Sequence, residues 1–238
     1  MARDELDRDD LIRGINAVIT KLRATGRPAG IRIVGGAALA LRYFDRRTTT
    51  DIDARLQPEA PILAAAAEVA RENQWPPDWL NSNAAQFIPA YGADAGWEVI
   101  YASEGITVEV ASPRALLAMK LNASRPGRDD SDIANLLAIC EIPNVDAAED
   151  LLEEFFPGDG LPNKALKLLT PIFAEGLPTV PDVPPAPVLG LSNEPPGPEA
   201  DLPARMRRFP ELRGVKLDPR GLGETAARDI DPDSGYQR

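Results

Sequence analysis

The stretch Ile31-Arg32-Ile33-Val34-Gly35-Gly36-Ala37-Ala38-Leu39-Ala40-Leu41-Arg42, with Thr48-Thr49-Thr50-Asp51-Ile52-Asp53-Ala54-Arg55 shortly after it, decides the fold. Ile31 to Val34 is rich in β-branched residues and predicts a strand. Gly35-Gly36 breaks it, and the Ala- and Leu-rich run from Ala37 to Phe44 predicts a helix. Thr48 to Arg55 again has strand chemistry. Fourteen residues lie between Gly36 and Asp51, so strand, glycine turn, helix and strand follow in close order. Side chains alternate along a strand, which points Asp51 and Asp53 to one face and Ile52 to the opposite, buried one.

Two like charges side by side are costly unless a cation sits between them. The Asp-x-Asp pair is therefore a candidate metal site, and oxygen-only donors suit Mg²⁺ or Mn²⁺. Glu109, in Ile106-Thr107-Val108-Glu109-Val110, faces away from Val108 and Val110. If its strand lies beside Asp51-Ile52-Asp53, three carboxylates meet on one sheet face and two metals can bridge them. Gly35-Gly36 sits where backbone amides approach phosphate oxygens. Taken singly, the aspartates read equally as solvated edge-strand residues, the glycines as a plain turn and Glu109 as surface. Their joint order favours a site.

Outward from this segment, apolar residues recur at Leu11, Ile12, Ile15, Val18, Ile19 and Leu22. They predict a helix over about 8–25 with Asp9 or Asp10 as its N-cap, ended by Gly26 and Pro28. Further helices are predicted over 61–73, 113–123, 130–139, 146–156 and 163–175, with a short one over 78–87. Strands are predicted over 96–102 and 105–111. The chain is thus of mixed α and β type. Nine prolines between Pro178 and Pro203 exclude a regular helix or central strand there. The expected organisation is a core over 1–142, a helical extension over 143–175 and a Pro-rich, mostly disordered tail over 176–238. That tail holds a basic cluster (Arg205, Arg207, Arg208, Arg213, Lys216, Arg220), read as a solvated segment ahead of a grip on RNA or on an acidic partner.

Composition narrows the chemistry. Among the 238 residues there is no histidine, which removes the Ser-His-Asp triad, a His-ligated zinc and a His general base. The single cysteine, Cys140, excludes an internal disulfide and reads as a buried core residue in an apolar run. A net charge of −11 argues against whole-surface binding of nucleic acid. The charged start of the chain and the lack of a run of ~18 apolar residues lead to the expectation of a cytoplasmic protein without membrane contact.

At Ile33-Val34-Gly35-Gly36 through Arg42, followed by Arg47-Thr48-Thr49-Thr50-Asp51-Ile52-Asp53, the sequence resembles the minimal nucleotidyltransferase superfamily. More narrowly it is similar to the AbiEii-type and DUF6036-type branch, with its glycine turn and Arg-x-Thr-x-Asp-x-Asp motif. A second block supports the resemblance: Ser112 to Ala123 with Lys120, then Arg125, Arg128-Asp129 and Asp132. The likeness spans about residues 10–142.

The resemblance implies an α+β nucleotidyltransferase fold, a small mixed sheet flanked by helices. It implies Asp51, Asp53 and Glu109 as metal ligands, with Lys120 and Asp129 joining them in catalysis. It places Gly35, Gly36, Arg47, Thr49 and Lys120 on the substrate side, and makes Asp132 the partner of Asp129. Mg²⁺ or Mn²⁺ would be the cofactor and a nucleoside triphosphate the donor. The acceptor would be a tRNA 3′ end or a protein hydroxyl, and the role that of a toxin restrained by a cognate antitoxin. Two other readings stay open. One is a non-catalytic nucleotide sensor or scaffold. The other is a small-molecule, aminoglycoside-type transferase, which the acidic charge favours. The residues also allow blander roles: Asp129 or Asp130 as a helix cap, Asp132 as a complement to the helix dipole, and Lys120 as a solvated lysine.

Overall fold

The computed structural model describes residues 5–46 and 48–191. Helix α1 (Arg8–Thr25) opens on Asp7, not on Asp9 or Asp10. The Asp7 carboxylate accepts from the Asp10 amide at 2.8 Å, and the Asp10 side chain accepts from the Asp7 amide at 3.2 Å. This reciprocal capping satisfies two amides that a helix start leaves free. Gly26, at φ 65°, ends the helix in the left-handed conformation that suits glycine.

Strand β1 (Ala29–Ile33) leads into α2 (Gly35–Ala38), which runs on as a π turn over Leu39–Tyr43. Strand β2 (Ile52–Gln57) and helix α3 (Glu59–Asn73) follow. The stretch expected as a short helix over 78–87 is instead a two-residue strand, β3 (Leu80–Asn81), and a 3₁₀ turn over Ala85–Phe87. Strands β4 (Trp97–Ser103) and β5 (Ile106–Ala111) form a hairpin. Glu104 (φ 53°) and Gly105 (φ 76°) supply the positive φ angles of its tight turn. Helices α4 (Pro113–Ala123), α5 (Asp130–Ile139), α6 (Val145–Phe155) and α7 (Asn163–Glu175) complete the order.

The five strands form one open mixed sheet in the order β3-β2-β1-β5-β4. β1 is antiparallel to β2 and parallel to β5. Ile31, Ile33, Ile52, Ala54, Leu56, Val108 and Val110 are all buried on one face. The register pairs Ile33 with both Ala54 and Val110, so this apolar face is continuous across three strands. The opposite face carries Arg32, Asp53, Arg55, Thr107 and Glu109, none of them buried. A sheet with one packed and one wetter face produces the alternation read in the sequence.

Trp79 is fully buried, donates its indole N–H to the Ala66 carbonyl at 2.9 Å and stands edge-on to Trp75. Among the described residues no helix is long and apolar enough to cross a membrane.

The described part of the tail is not loose. Asn16, 6% exposed, donates to the Val188 carbonyl at 3.1 Å and accepts from the Gly190 amide at 2.6 Å. Arg23 donates to the Gly190 carbonyl at 3.0 Å, Arg8 to that of Pro185, and Pro187 is buried. The side chains of α1 thus read the backbone of an extended strap. Proline prevents regular pairing but leaves carbonyls free to accept. These residues belong to a compact unit over Met1–Asn193; a second unit, Glu194–Arg238, and the basic cluster within it lie outside the described residues.

Candidate functional site

Asp51 and Asp53 stand next to the glycine turn. The Val34 amide donates to the Asp53 carbonyl at 2.9 Å, which ties the end of β1 to the start of β2. Gly35 has φ 67°, and a Cβ there would lie 3.3 Å from the Asp53 Oδ2. Glycine therefore serves twice, allowing the turn and leaving room above the carboxylate. Asp51 precedes β2 rather than lying within it. The strand expected over 48–55 forms only from Ile52 onward; ahead of it, Thr49 alone makes a bridge, to Leu6. Asp51 is instead oriented by side chains: Asn81 Nδ2 donates to its Oδ2 at 3.1 Å and Thr50 Oγ1 to its Oδ1 at 3.1 Å.

The pair is electrostatically strained. Burial, and then the Asp51 charge beside it, push the Asp53 carboxyl up to about 6; Arg125, Arg128 and the Ala84 amide pull the other way. Asp129 first, and then both aspartates, raise the Arg125 guanidinium in turn.

Glu109 does not join them. β1 lies between β2 and β5, so roughly 10 Å of sheet separates the two strands. Glu109 is level with Arg32 and Arg55, two residues along the strand direction from Asp53. Arg32 fills the space between, donating to Glu109 at 2.8 Å while its guanidinium stacks 5.1 Å from the Trp97 ring centroid. The three-carboxylate cluster expected from the sequence is thus reduced to Asp51 and Asp53. Among the described residues no group of three or more His, Cys, Asp or Glu side chains is placed to hold a metal.

Lys120 and Asp129 form a second centre. Lys120 is 6% exposed, Asp129 1% and Asp132 3%. The ammonium contacts Asp129 Oδ1 at 2.7 Å and Asp132 Oδ2 at 2.9 Å. Arg46 Nε donates to both Asp132 oxygens, at 3.2 and 3.3 Å, and Arg125 donates twice to Asp129, at 2.9 and 3.2 Å. Burial alone would raise the Asp129 carboxyl, but Arg125 and Lys120 outweigh it and hold it below its ordinary range. Asp129 occupies the N-cap position of α5 yet makes no cap hydrogen bond, because its oxygens are taken by these cations. Lys120 is therefore neither a solvated lysine nor, in this arrangement, free to reach a substrate.

The network runs back to the glycine turn. A Cβ on Gly36 would meet the Arg46 guanidinium at 2.9 Å and Thr49 Oγ1 at 3.1 Å. The Thr49 hydroxyl turns inward and donates to the Asp51 carbonyl at 3.2 Å. Gly36 and Thr49 thus shape the turn. Arg47, expected on the substrate side, lies outside the described residues.

Sequence reasoning passed over Arg46 and Asn81. Nothing local marks Asn81, but a buried Asp132 demanded a cation, and the neighbouring Arg46 supplies it. Cys140 is only half-buried, although burial pushes its thiol up to about 11. No family model matches the chain, nor does any curated protein or solved structure.

Proposed function

We propose that this chain is a metal-dependent nucleotidyltransferase that moves a nucleoside monophosphate from a nucleoside triphosphate to an acceptor hydroxyl. The observation that carries this reading is the Asp51–Asp53 pair against Gly35, where any side chain would crowd the Asp53 carboxylate at 3.3 Å. Adjacent carboxylates that repel one another form a hard-oxygen donor set that fits Mg²⁺ or Mn²⁺. Magnesium is commonly held by one or two carboxylates, with substrate phosphates and water completing its shell. Asp51 and Asp53 therefore suffice without Glu109. When bound, the metal supplies charge neutralisation for the triphosphate and acidifies the acceptor hydroxyl.

The chain's own residues do the positioning. Asn81 and Thr50 orient Asp51. Gly35 leaves space for phosphate oxygens against the backbone. In the transfer, the acceptor oxygen bonds to the α-phosphorus, the bond from that phosphorus to the bridging oxygen breaks, and pyrophosphate leaves. The acceptor proton passes to solvent. The resemblance to the AbiEii-type branch extends this reading to a tRNA 3′ end or protein hydroxyl as acceptor, and to a growth-arresting toxin held in check by an antitoxin.

The test is transfer of α-labelled phosphate from each nucleoside triphosphate, with Mg²⁺, into total tRNA and into total protein. Label incorporated by the wild type, and lost in Asp51→Ala/Asp53→Ala, is the expected result. Undiminished transfer by the double variant refutes the site.

A further inference from the structure

Arg125 differs from the other cations around the aspartate pair in being both fixed and open. Its Nε and Nη2 donate to the two oxygens of Asp129 at 2.9 and 3.2 Å. That carboxylate is itself pinned by Lys120 at 2.7 Å. The backbone is fixed as well: the Arg125 carbonyl accepts from the amides of Arg128 (3.1 Å) and Asp129 (3.0 Å), and the Gly127 amide donates to Asp130 Oδ1 at 2.8 Å. Yet the Arg125 side chain is 51% exposed. A guanidinium has five N–H donors, and Asp129 takes two of them. The rest stay available, and the carboxylate they flank is tied through Lys120, Asp132 and Arg46 to the glycine turn beside Asp53. The Lys120 ammonium, by contrast, is buried and already engaged by two carboxylates.

We propose that Arg125, assisted by the exposed Arg128, is the residue that grips the polyphosphate of the donor nucleotide, and that Lys120 is a positioning residue acting through Asp129. This rests on the nucleotidyl-transfer reading. Once a divalent cation neutralises the aspartates, the arginine charge is left for the phosphates. The planar fork of arginine suits phosphate oxygens better than the point charge of lysine.

The probe is inorganic tripolyphosphate with Mg²⁺, titrated calorimetrically into the full chain, with melting temperature recorded for each variant. Arg125→Gln is expected to weaken binding about 10- to 100-fold and to lower the melting temperature without unfolding the chain at the titration temperature, since the buried Asp129 keeps Lys120. Arg125→Lys, which keeps the charge but not the fork, recovers only part of the affinity. Arg125→Gln within twofold of wild type overturns the inference. So does folded Lys120→Met that loses more affinity than Arg125→Gln. A wild type that transfers nucleotide while Arg125→Gln binds unchanged sinks this assignment alone. A wild type that binds no tripolyphosphate sinks it together with the nucleotidyltransferase reading.

Discussion

Replacing Lys120 with methionine keeps an unbranched side chain one atom shorter and removes the charge between two buried carboxylates. Asp129 and Asp132 lose contacts of 2.7 and 2.9 Å. Removing one partner of a buried ion pair costs about 3–5 kcal/mol when it leaves a charge uncompensated. Here each carboxylate keeps a guanidinium, Arg125 on Asp129 and Arg46 on Asp132, so the lower end applies, ~3 kcal/mol. For a unit of this size that lowers the melting temperature by roughly 6–12 °C.

The pH dependence gives the sharper test. The Asp129 carboxyl is held below its ordinary value of 3.8 in the fold. Its stabilisation is complete above that value and is lost as pH falls through the lower, folded-state value. The gap between wild type and Lys120→Met should therefore be widest at neutral pH and close as the carboxyl protonates in acid. Urea denaturation at several pH values measures it. A gap that is absent at pH 7, or that does not change down to strong acid, would refute the claim that the ammonium holds these carboxylates.

In a chelating buffer, Asp53 keeps in the fold a proton that its unfolded form releases near 3.8, since its carboxyl is pushed up to about 6. Wild-type stability therefore falls between those two values, and Asp53→Asn should exceed it at pH 8 by about 1–3 kcal/mol; equal chemical-denaturation curves at pH 8 would contradict this. Gly14→Ala places a Cβ 2.6 Å from the Trp79 ring and 2.9 Å from Trp75. Overpacking of ~1–3 kcal/mol offsets the helix-propensity gain, so a net loss in urea stability with altered tryptophan emission is expected. Asn16→Ala removes both bonds to the strap, at about 1–2 kcal/mol, and hydrogen exchange at the Gly190 amide should accelerate. If that amide exchanges just as fast in the wild type, the strap is not held by Asn16.

Much of the local structure was legible. The sequence-predicted helices 113–123 and 130–139 match α4 and α5 end for end, because Pro113, Ser112 and the acidic start of α5 are signals read within one turn. The failures came where a distant partner decides. Leu80-Asn81 became a strand by pairing with Ile52 and Asp53, a partner nearly thirty residues away. Thr48 to Thr50 has strand chemistry but no neighbouring strand to complete it. Up to Leu191, where the described residues end, the prolines after Gly176 leave no helix or strand, yet Asn16 and Arg23 still bind the backbone of that strap.

The sequence by itself determined most of the order of elements, the breaking of β1 at Gly35 and the burial of Ile52 opposite the face of Asp53, since these depend on residues close along the chain and on side-chain alternation. Only the tertiary structure decided that β1 lies between β2 and β5, leaving Glu109 to Arg32 and not to the aspartate pair. It also decided that Lys120 is buried between Asp129 and Asp132 while Arg125 stays half-exposed on Asp129. The lateral order of strands and the partners of buried charges follow from how apolar faces pack over long sequence separations, and no local pattern encodes them.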